Sequence, residues 1–200
     1  MRVLTAVCAT TLTVAGCSGV HIVNTDDNAP PSLVASPTET STPRPSNAHL
    51  ANAFDYAGHP QDQDLAVYYF TTPSGRWACA IVPREKAGCQ STAGGQSAMG
   101  ITGEPESVPD AAGQPVSPNA IIVDRRNGAQ FVALEQPEFT PEPGPANVLQ
   151  FNRILAAAGF RCNVQESAGV SCLSELTGEG FTFSDEGMLP VYTDVPADAP

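Results

Sequence analysis

A chain of 200 residues, 42% of them hydrophobic, can close one ordinary core and still leave residues over for a tail. Its 21 acidic residues against 9 basic ones give a formal charge of -12, which repels nucleic acid and anionic head groups. Composition therefore sets the size and excludes a polyanion-binding role, and any chemistry has to come from particular segments.

At the start, Arg2 supplies a minimal positive charge, and Val3 to Ala15 form an uncharged, largely apolar run too short to span a bilayer comfortably as a helix. A removable export signal fits such a run. It ends in Val14-Ala15-Gly16-Cys17, which resembles the bacterial lipobox, an aliphatic residue followed by two small residues and cysteine. The resemblance implies cleavage before Cys17 and diacylglycerol on its sulfur, an anchor of two acyl chains that holds without help from protein surface. Cys8 would leave with the signal. The expected organisation is a signal peptide over 1–16, a lipidated cysteine and tether over 17–60, and an extracytoplasmic domain over 61–200.

From Ser18 to about Pro60 the chain is rich in Ser, Thr, Pro, Asn and Ala, with Pro30, Pro31, Pro37, Pro43 and Pro45 breaking any regular element. A disordered tether is expected there, and its Ser and Thr residues beside proline are candidates for O-glycosylation. Leu65 to Thr71 is rich in aromatic and β-branched residues, Thr72-Pro73-Ser74-Gly75 has turn composition, and Arg76 to Val82 returns as the next strand. Gln90 to Pro118, full of Gly, Pro, Ser and Ala, predicts a long irregular connection, either functional or loose. Ala120 to Val123 and Gln130 to Leu134 predict a hairpin about Asn127-Gly128. Val148 to Phe160 fits one helical face and, in part, an alternating strand. Gly178-Glu179-Gly180 turns into Phe181-Thr182-Phe183, and Leu189 to Thr193 makes a last strand.

With Cys17 lipidated, four cysteines remain in an oxidising compartment, Cys79, Cys89, Cys162 and Cys172. Both pairs are spaced by ten residues and stand 83 residues apart, and their neighbours obey the same offset. Trp77-x-Cys79-x-Ile81 matches Phe160-x-Cys162-x-Val164, Ala87 matches Val170, and Ser91 matches Ser174. Each first cysteine thus lies between an aromatic and an aliphatic residue on one face of a strand. Hairpins centred on Arg84 and Ser167 place Cys79 opposite Cys89 and Cys162 opposite Cys172, at separations a disulfide can bridge. Local pairing is expected. Zinc, the rival use of four cysteines, prefers shorter ligand spacings and a reducing compartment. The fold class that follows is all-β or mainly β: a small two-part sheet or sandwich built from two disulfide-stapled hairpin repeats, behind a long disordered tether.

Thr72-Pro73-Ser74-Gly75-Arg76-Trp77-x-Cys79-x-Ile81, with Ala87-Gly88-Cys89, resembles a family of uncharacterised exported proteins of actinobacteria, mycobacterial in type and many of them lipoproteins. Gly159-Phe160-x-Cys162, Gly169-Val170-Ser171-Cys172 and Gly178-x-Gly180-Phe181-x-Phe183-Ser184 carry the same resemblance in the second half. The scarcity of lysine, with Lys86 alone, and the abundance of Ala, Gly and Pro also resemble proteins of GC-rich actinobacterial genomes. The resemblance implies a β-rich, disulfide-bonded extracytoplasmic domain, favours strand over helix for Val148 to Phe160, and brings no activity with it.

Catalytic patterns are thin. His21, His49 and His59 all fall in or beside the tether, so a nucleophile elsewhere lacks a placed base. Asp62, Asp64, Asp124, Asp185 and Glu186 are the carboxylates to weigh for glycan hydrolysis, against the commoner role of turn and surface residues. Asp62-x-Asp64 starts like a calcium loop that Ala66 fails to continue. Trp77, Tyr68, Tyr69, Phe160, Phe181 and Phe183 would either line a groove or, as strand aromatics usually do, pack in a core. The reading is a non-enzymatic envelope module, with no catalytic residue, metal or cofactor, held to the membrane through Cys17 and binding an envelope protein or cell-wall component. A carrier or sensor for a small apolar ligand or lipid, and a cell-wall hydrolase, are the alternatives.

Overall fold

Period-two alternation dominates the chain from Val67 onward, and it builds two antiparallel sheets that face one another. The structure is a computed structural model and describes residues 45, 47–60, 64–93 and 98–200; the segment expected to be a signal, Cys17 and most of the segment expected to be a tether lie outside them. Among the described residues there is no α-helix. The first sheet contains β1 (Ala57–Gly58), β2 (Val67–Thr71), β3 (Trp77–Val82), β4 (Lys86–Ser91), β7 (Ala120–Asp124) and β8 (Gln130–Val132) in that order, with β9 (Asn147–Val148) lying parallel to β2. The second is the meander β10 (Ile154–Ala157), β11 (Phe160–Gln165), β12 (Gly169–Ser174), β13 (Gly180–Ser184) and β14 (Gly187–Leu189). A small hairpin, β5 (Val108–Pro109) with β6 (Pro115–Val116), stands apart from both.

The repeat expected from the cysteine offset is present and larger than two hairpins. Cys79 faces Phe70 on one side and Cys89 on the other, and Cys89 faces Ile121; Cys162 faces Leu155 and Cys172, and Cys172 faces Phe181. The strands β2, β3, β4, β7 and β8 thus repeat as β10 to β14. Turn chemistry differs between the halves: Thr72-Pro73-Ser74-Gly75 joins β2 to β3 with Gly75 N donating to Thr72 O at 2.8 Å, whereas Ala158 and Gly159 join β10 to β11 at φ 51° and 86°. Two residues at positive φ suit the twist of a two-residue hairpin.

Cys79 and Cys89 are bridged with Cα atoms 4.0 Å apart, and Cys162 and Cys172 with Cα atoms 4.1 Å apart. Both bridges lie fully buried in one core between the sheets, with Phe70, Trp77, Ile81, Val123, Leu155, Phe160, Val164, Phe181 and Phe183. Trp77 meets Phe183 of the opposite sheet edge to face, with ring centroids 5.1 Å apart. Every second residue of β3, β4, β11, β12 and β13 points into this layer, as the pleat requires.

Three expectations are corrected. The domain does not begin at residue 61, because residues 47–58 already belong to the fold. His49 O accepts from Ile154 N at 2.9 Å, Ala51 N donates to Ile154 O at 2.8 Å, and Arg161 Nη2 donates to Asn47 Oδ1 at 2.9 Å. These partners are a hundred residues away, so composition alone could not show them. The Gln90–Pro118 connection is no loose loop in its described part: Met99 and Ile101 are buried in the main core, and Glu104 accepts from Met99 N at 2.9 Å and Gly100 N at 2.7 Å. Finally, the last strand ends at Leu189, and residues 190–195 run over the outer face of the second sheet, where Thr182 Oγ1 donates to Val191 O at 2.7 Å.

Val148 to Phe160 holds two strands, β9 and β10, separated by a turn in which Asn152 has φ 60° and Arg153 N donates to Gln150 O at 3.1 Å.

Candidate functional site

Beyond the shared inner layer, the outer face of the first sheet is apolar: Val67, Tyr69, Ala80, Val82 and Ala120 form a second cluster. Residues 133–146 cross it as a strap, and their one aromatic, Phe139, is fully buried in that cluster. Gly88 makes room for it, since a Cβ there would stand 2.8 Å from Phe139 Cζ and 2.6 Å from Ile121 O. Gln90 Oε1 accepts from both Glu138 N and Phe139 N at 3.0 Å, and Lys86 Nζ pairs with Glu138 at 2.8 Å. Burial alone would lower the Lys86 ammonium; the hydrogen bond and charge of Glu138, with those of Glu85, outweigh it and hold the group above its ordinary value.

The strap is tied at both ends. Asn119 clamps Leu134, accepting from its N–H at 2.8 Å and donating to its carbonyl at 2.9 Å. At the far end Tyr56 donates to Val148 O at 3.3 Å, Leu149 N donates to Thr71 O at 2.9 Å, and the Asn147 amide donates to Asp55 O. Between the proline-rich strap and the arm Asp55–Pro60, at the β1 edge of the sheet, an open groove of about 870 Å³ remains. Tyr56, Gly58, His59, Tyr69, Glu138 and Glu142 are among its lining residues. Gly58 lies close against the Tyr69 ring, two of whose carbons would be 3.0 Å from a Cβ there. Burial, then the charge of Asp55, raises the Tyr56 phenol despite the opposing Arg153; burial, then Glu138, raises that of Tyr69. Both hydroxyls therefore stay protonated and able to donate at neutral pH. With the Tyr56 hydroxyl given to Val148 O, the arrangement offers the Tyr69 phenol, the His59 imidazole, carboxylates, proline rings and a strand edge, a set suited to holding an extended chain.

The structure places the residues weighed from the sequence as follows. Trp77, Tyr69, Phe160, Phe181 and Phe183 are core, and Tyr68 is half-buried against it, so they line no common groove. His59 lines the groove described above, and His49, at φ 64°, lies 3.4 Å from Ala197 O. His21 and Asp62 lie outside the described residues. Asp64 is exposed before β2, and Glu186 is exposed in the β13–β14 turn. Asp185 pairs with Arg76, whose guanidinium also lies 4.7 Å from the centre of the Trp77 ring. Among the described residues, no group of three or more His, Cys, Asp or Glu side chains is placed to hold a metal ion.

Asp124 serves its turn. Its carboxylate accepts from Arg126 N at 2.6 Å, Asn127 N at 2.7 Å and the Asn127 amide at 2.8 Å. Burial works against the charge, but the hydrogen bonds led by Asn127 prevail and hold the carboxyl below its ordinary value. Its contribution to stability is thus full above the unfolded pKa of about 4 and is lost as pH falls through the lower folded value. Urea unfolding of the wild type and Asp124→Ala is expected to show a gap at pH 7 that narrows as the pH is lowered below about 4; a gap of constant size would refute the assignment.

Comparison of the chain with protein-family models, curated proteins and solved structures finds no match.

Proposed function

We propose that this chain is a cell-envelope lipoprotein, held outside the cytoplasmic membrane through lipid on Cys17, that binds an extended segment of an envelope protein or wall component. The observation that carries the reading is the open groove at the β1 edge, whose walls are fixed to a disulfide-stapled sheet by Phe139, Gln90 and Asn147. Fixed walls lose little entropy on binding, which suits recognition without chemistry. Support for the alternatives is weaker. A carrier of apolar ligands needs a void between the sheets, and Phe70, Trp77, Phe160, Phe181, Phe183 and both disulfides pack together there. A two-carboxylate hydrolase needs converging acids, whereas Asp124 is taken up by its turn and Asp185 by Arg76.

Two experiments divide the proposal into its parts. A photocrosslinking side chain at Tyr56 or Thr140 of the lipidated chain in its own envelope is expected to trap one dominant partner, and the same group at Asp110 on the β5–β6 hairpin none. Equal adducts at all three positions would refute the groove. Separately, Cys17→Ser is expected to move the protein almost wholly from the detergent phase to the aqueous phase of a Triton X-114 partition, because the acyl chains are lost. Retention in the detergent phase would refute the anchor.

A further inference from the structure

The two halves of the repeat agree on the inner face and differ on the outer one. Ala80 and Val82 of β3 match Asn163 and Gln165 of β11, and Gly88 of β4 matches Ser171 of β12. The first sheet turns apolar residues to its strap; the second turns Asn163, Gln165, Ser171 and Thr182, each more than nine-tenths buried, to residues 190–195. Their polar atoms address main chain. The Asn163 amide donates to Thr193 O at 2.9 Å, the Gln165 amide to Thr193 O at 3.1 Å and Asp194 O at 3.4 Å, and Thr182 Oγ1 to Val191 O at 2.7 Å. Gln165 also donates to Asn163 Oδ1 at 3.0 Å, and Ser171 Oγ lies 2.8 Å from Thr182 Oγ1, so the donors are held in place from beneath. Side chains add to this: Tyr192 OH accepts from Asn163 at 3.0 Å and donates to Asp194 Oδ1 at 3.3 Å, Thr193 Oγ1 lies 2.9 Å from Thr182, and Val195 is buried.

We propose that the outer face of the second sheet is a slot that reads the backbone of an extended polypeptide, filled here by the chain's own residues 190–195, and that a segment of a second polypeptide can replace them. The preferred occupant carries a tyrosine at the place of Tyr192, a hydroxyl residue at the place of Thr193 and a small apolar residue at the place of Val195. Release is feasible because the uncovered face is polar: water takes over the donors of Asn163, Gln165 and Thr182, whereas uncovering the first sheet would expose hydrocarbon. The proposal is independent of the groove at the β1 edge.

The test uses the full chain and a labelled peptide of residues 189–197. Val195→Asp, which lifts the segment, is expected to keep the folded near-ultraviolet signal of Trp77 and to bind the peptide at least about tenfold more tightly than the wild type, whose slot is filled. Alanine at position 191 of the peptide, whose side chain is exposed, is expected to change binding by no more than about threefold, since its carbonyl remains, whereas alanine at position 192 takes the phenol acceptor from the Asn163 amide and is expected to weaken binding by about fivefold or more. Adding Thr182→Val, which keeps the shape and deletes the donor to Val191 O, is expected to weaken the peptide by about fivefold or more. Unfolding of Val195→Asp would mean that residues 190–195 are structural. No binding to the lifted variant, or binding indifferent to Thr182→Val, would overturn the proposal equally.

Discussion

Alanine at all four of Cys79, Cys89, Cys162 and Cys172 is expected to leave a chain that is largely unfolded at 37 °C. Each bridge joins residues ten apart, and closing a loop of that length stabilises by about 2.5 to 3 kcal/mol in the chain-entropy model. Taken as independent, the two losses come to about 5 to 6 kcal/mol, against a total that is typically about 5 to 15 kcal/mol. Alanine also leaves small voids in the layer between the sheets, where all four sulfurs are fully buried. Removing one pair alone should lower the melting temperature by roughly 5 to 12 °C. The two losses should not simply add, because both bridges lie in the same core. Thermal unfolding followed at Trp77 decides the matter: a four-alanine chain melting within about 3 °C of wild type would mean that the bridges add little to this core.

Phe139→Ala is expected to cost about 3 to 5 kcal/mol, the usual range for emptying a buried phenylalanine site. Its damage should be local. Phe139 is the only aromatic residue between 133 and 146, and its ring fills the outer cluster against Gly88. Without it the strap keeps the Asn119 clamp at one end and β9 at the other, but its middle is left to the Gln90 and Lys86 hydrogen bonds alone and loosens, so the groove wall weakens. Gly88→Ala should act from the opposite side, because the added Cβ competes with the ring and with Ile121 O, at about 1 to 3 kcal/mol. Hydrogen exchange is the direct measurement. In both variants the amides of Glu138 and Phe139, which donate to Gln90, should exchange much faster than in wild type, while those of β11 and β12 keep their protection. Unchanged exchange in the strap would show that Phe139 does not hold it, and partner crosslinking from Thr140 should fall with the strap.

Most of the sheet framework could be read from the sequence because its signals are local. Cys79 to Cys89 and Cys162 to Cys172 sit in hairpins whose turns, at Arg84 and about Ser167, are centred where equal spacing requires. The aromatic and aliphatic neighbours of each first cysteine share its face of the strand, and that period identified the core side. What stayed hidden depends on distant partners. Residues 47–58 have the composition of a tether, yet Ile154, Arg161 and Asn147 organise them. Met99 and Ile101 stand among Gly, Pro and Ser, and two apolar residues set a residue apart give too short a period to read. The groove is hidden for the same reason, since it brings the arm Asp55–Pro60 against prolines and acids of 137–145, which are about eighty residues away in the chain. One signal was available: a lone phenylalanine in a proline-rich, acidic stretch has few uses except as an anchor. The polar outer face of the second sheet could also be foreseen, because the positions of Ala80 and Val82 become Asn163 and Gln165 on the same repeat.

Each bridge joins a cysteine to the next one in the chain, and neither crosses between the halves of the repeat. For a polypeptide threading N-terminus first into an oxidant, Cys79 and Cys89 can therefore couple before Cys162 has emerged, and the second couple closes afterwards by the same rule. On the proposed export route, with Cys8 removed and Cys17 lipidated, order of appearance favours this connectivity, and each half can lock its own meander by oxidation without reshuffling.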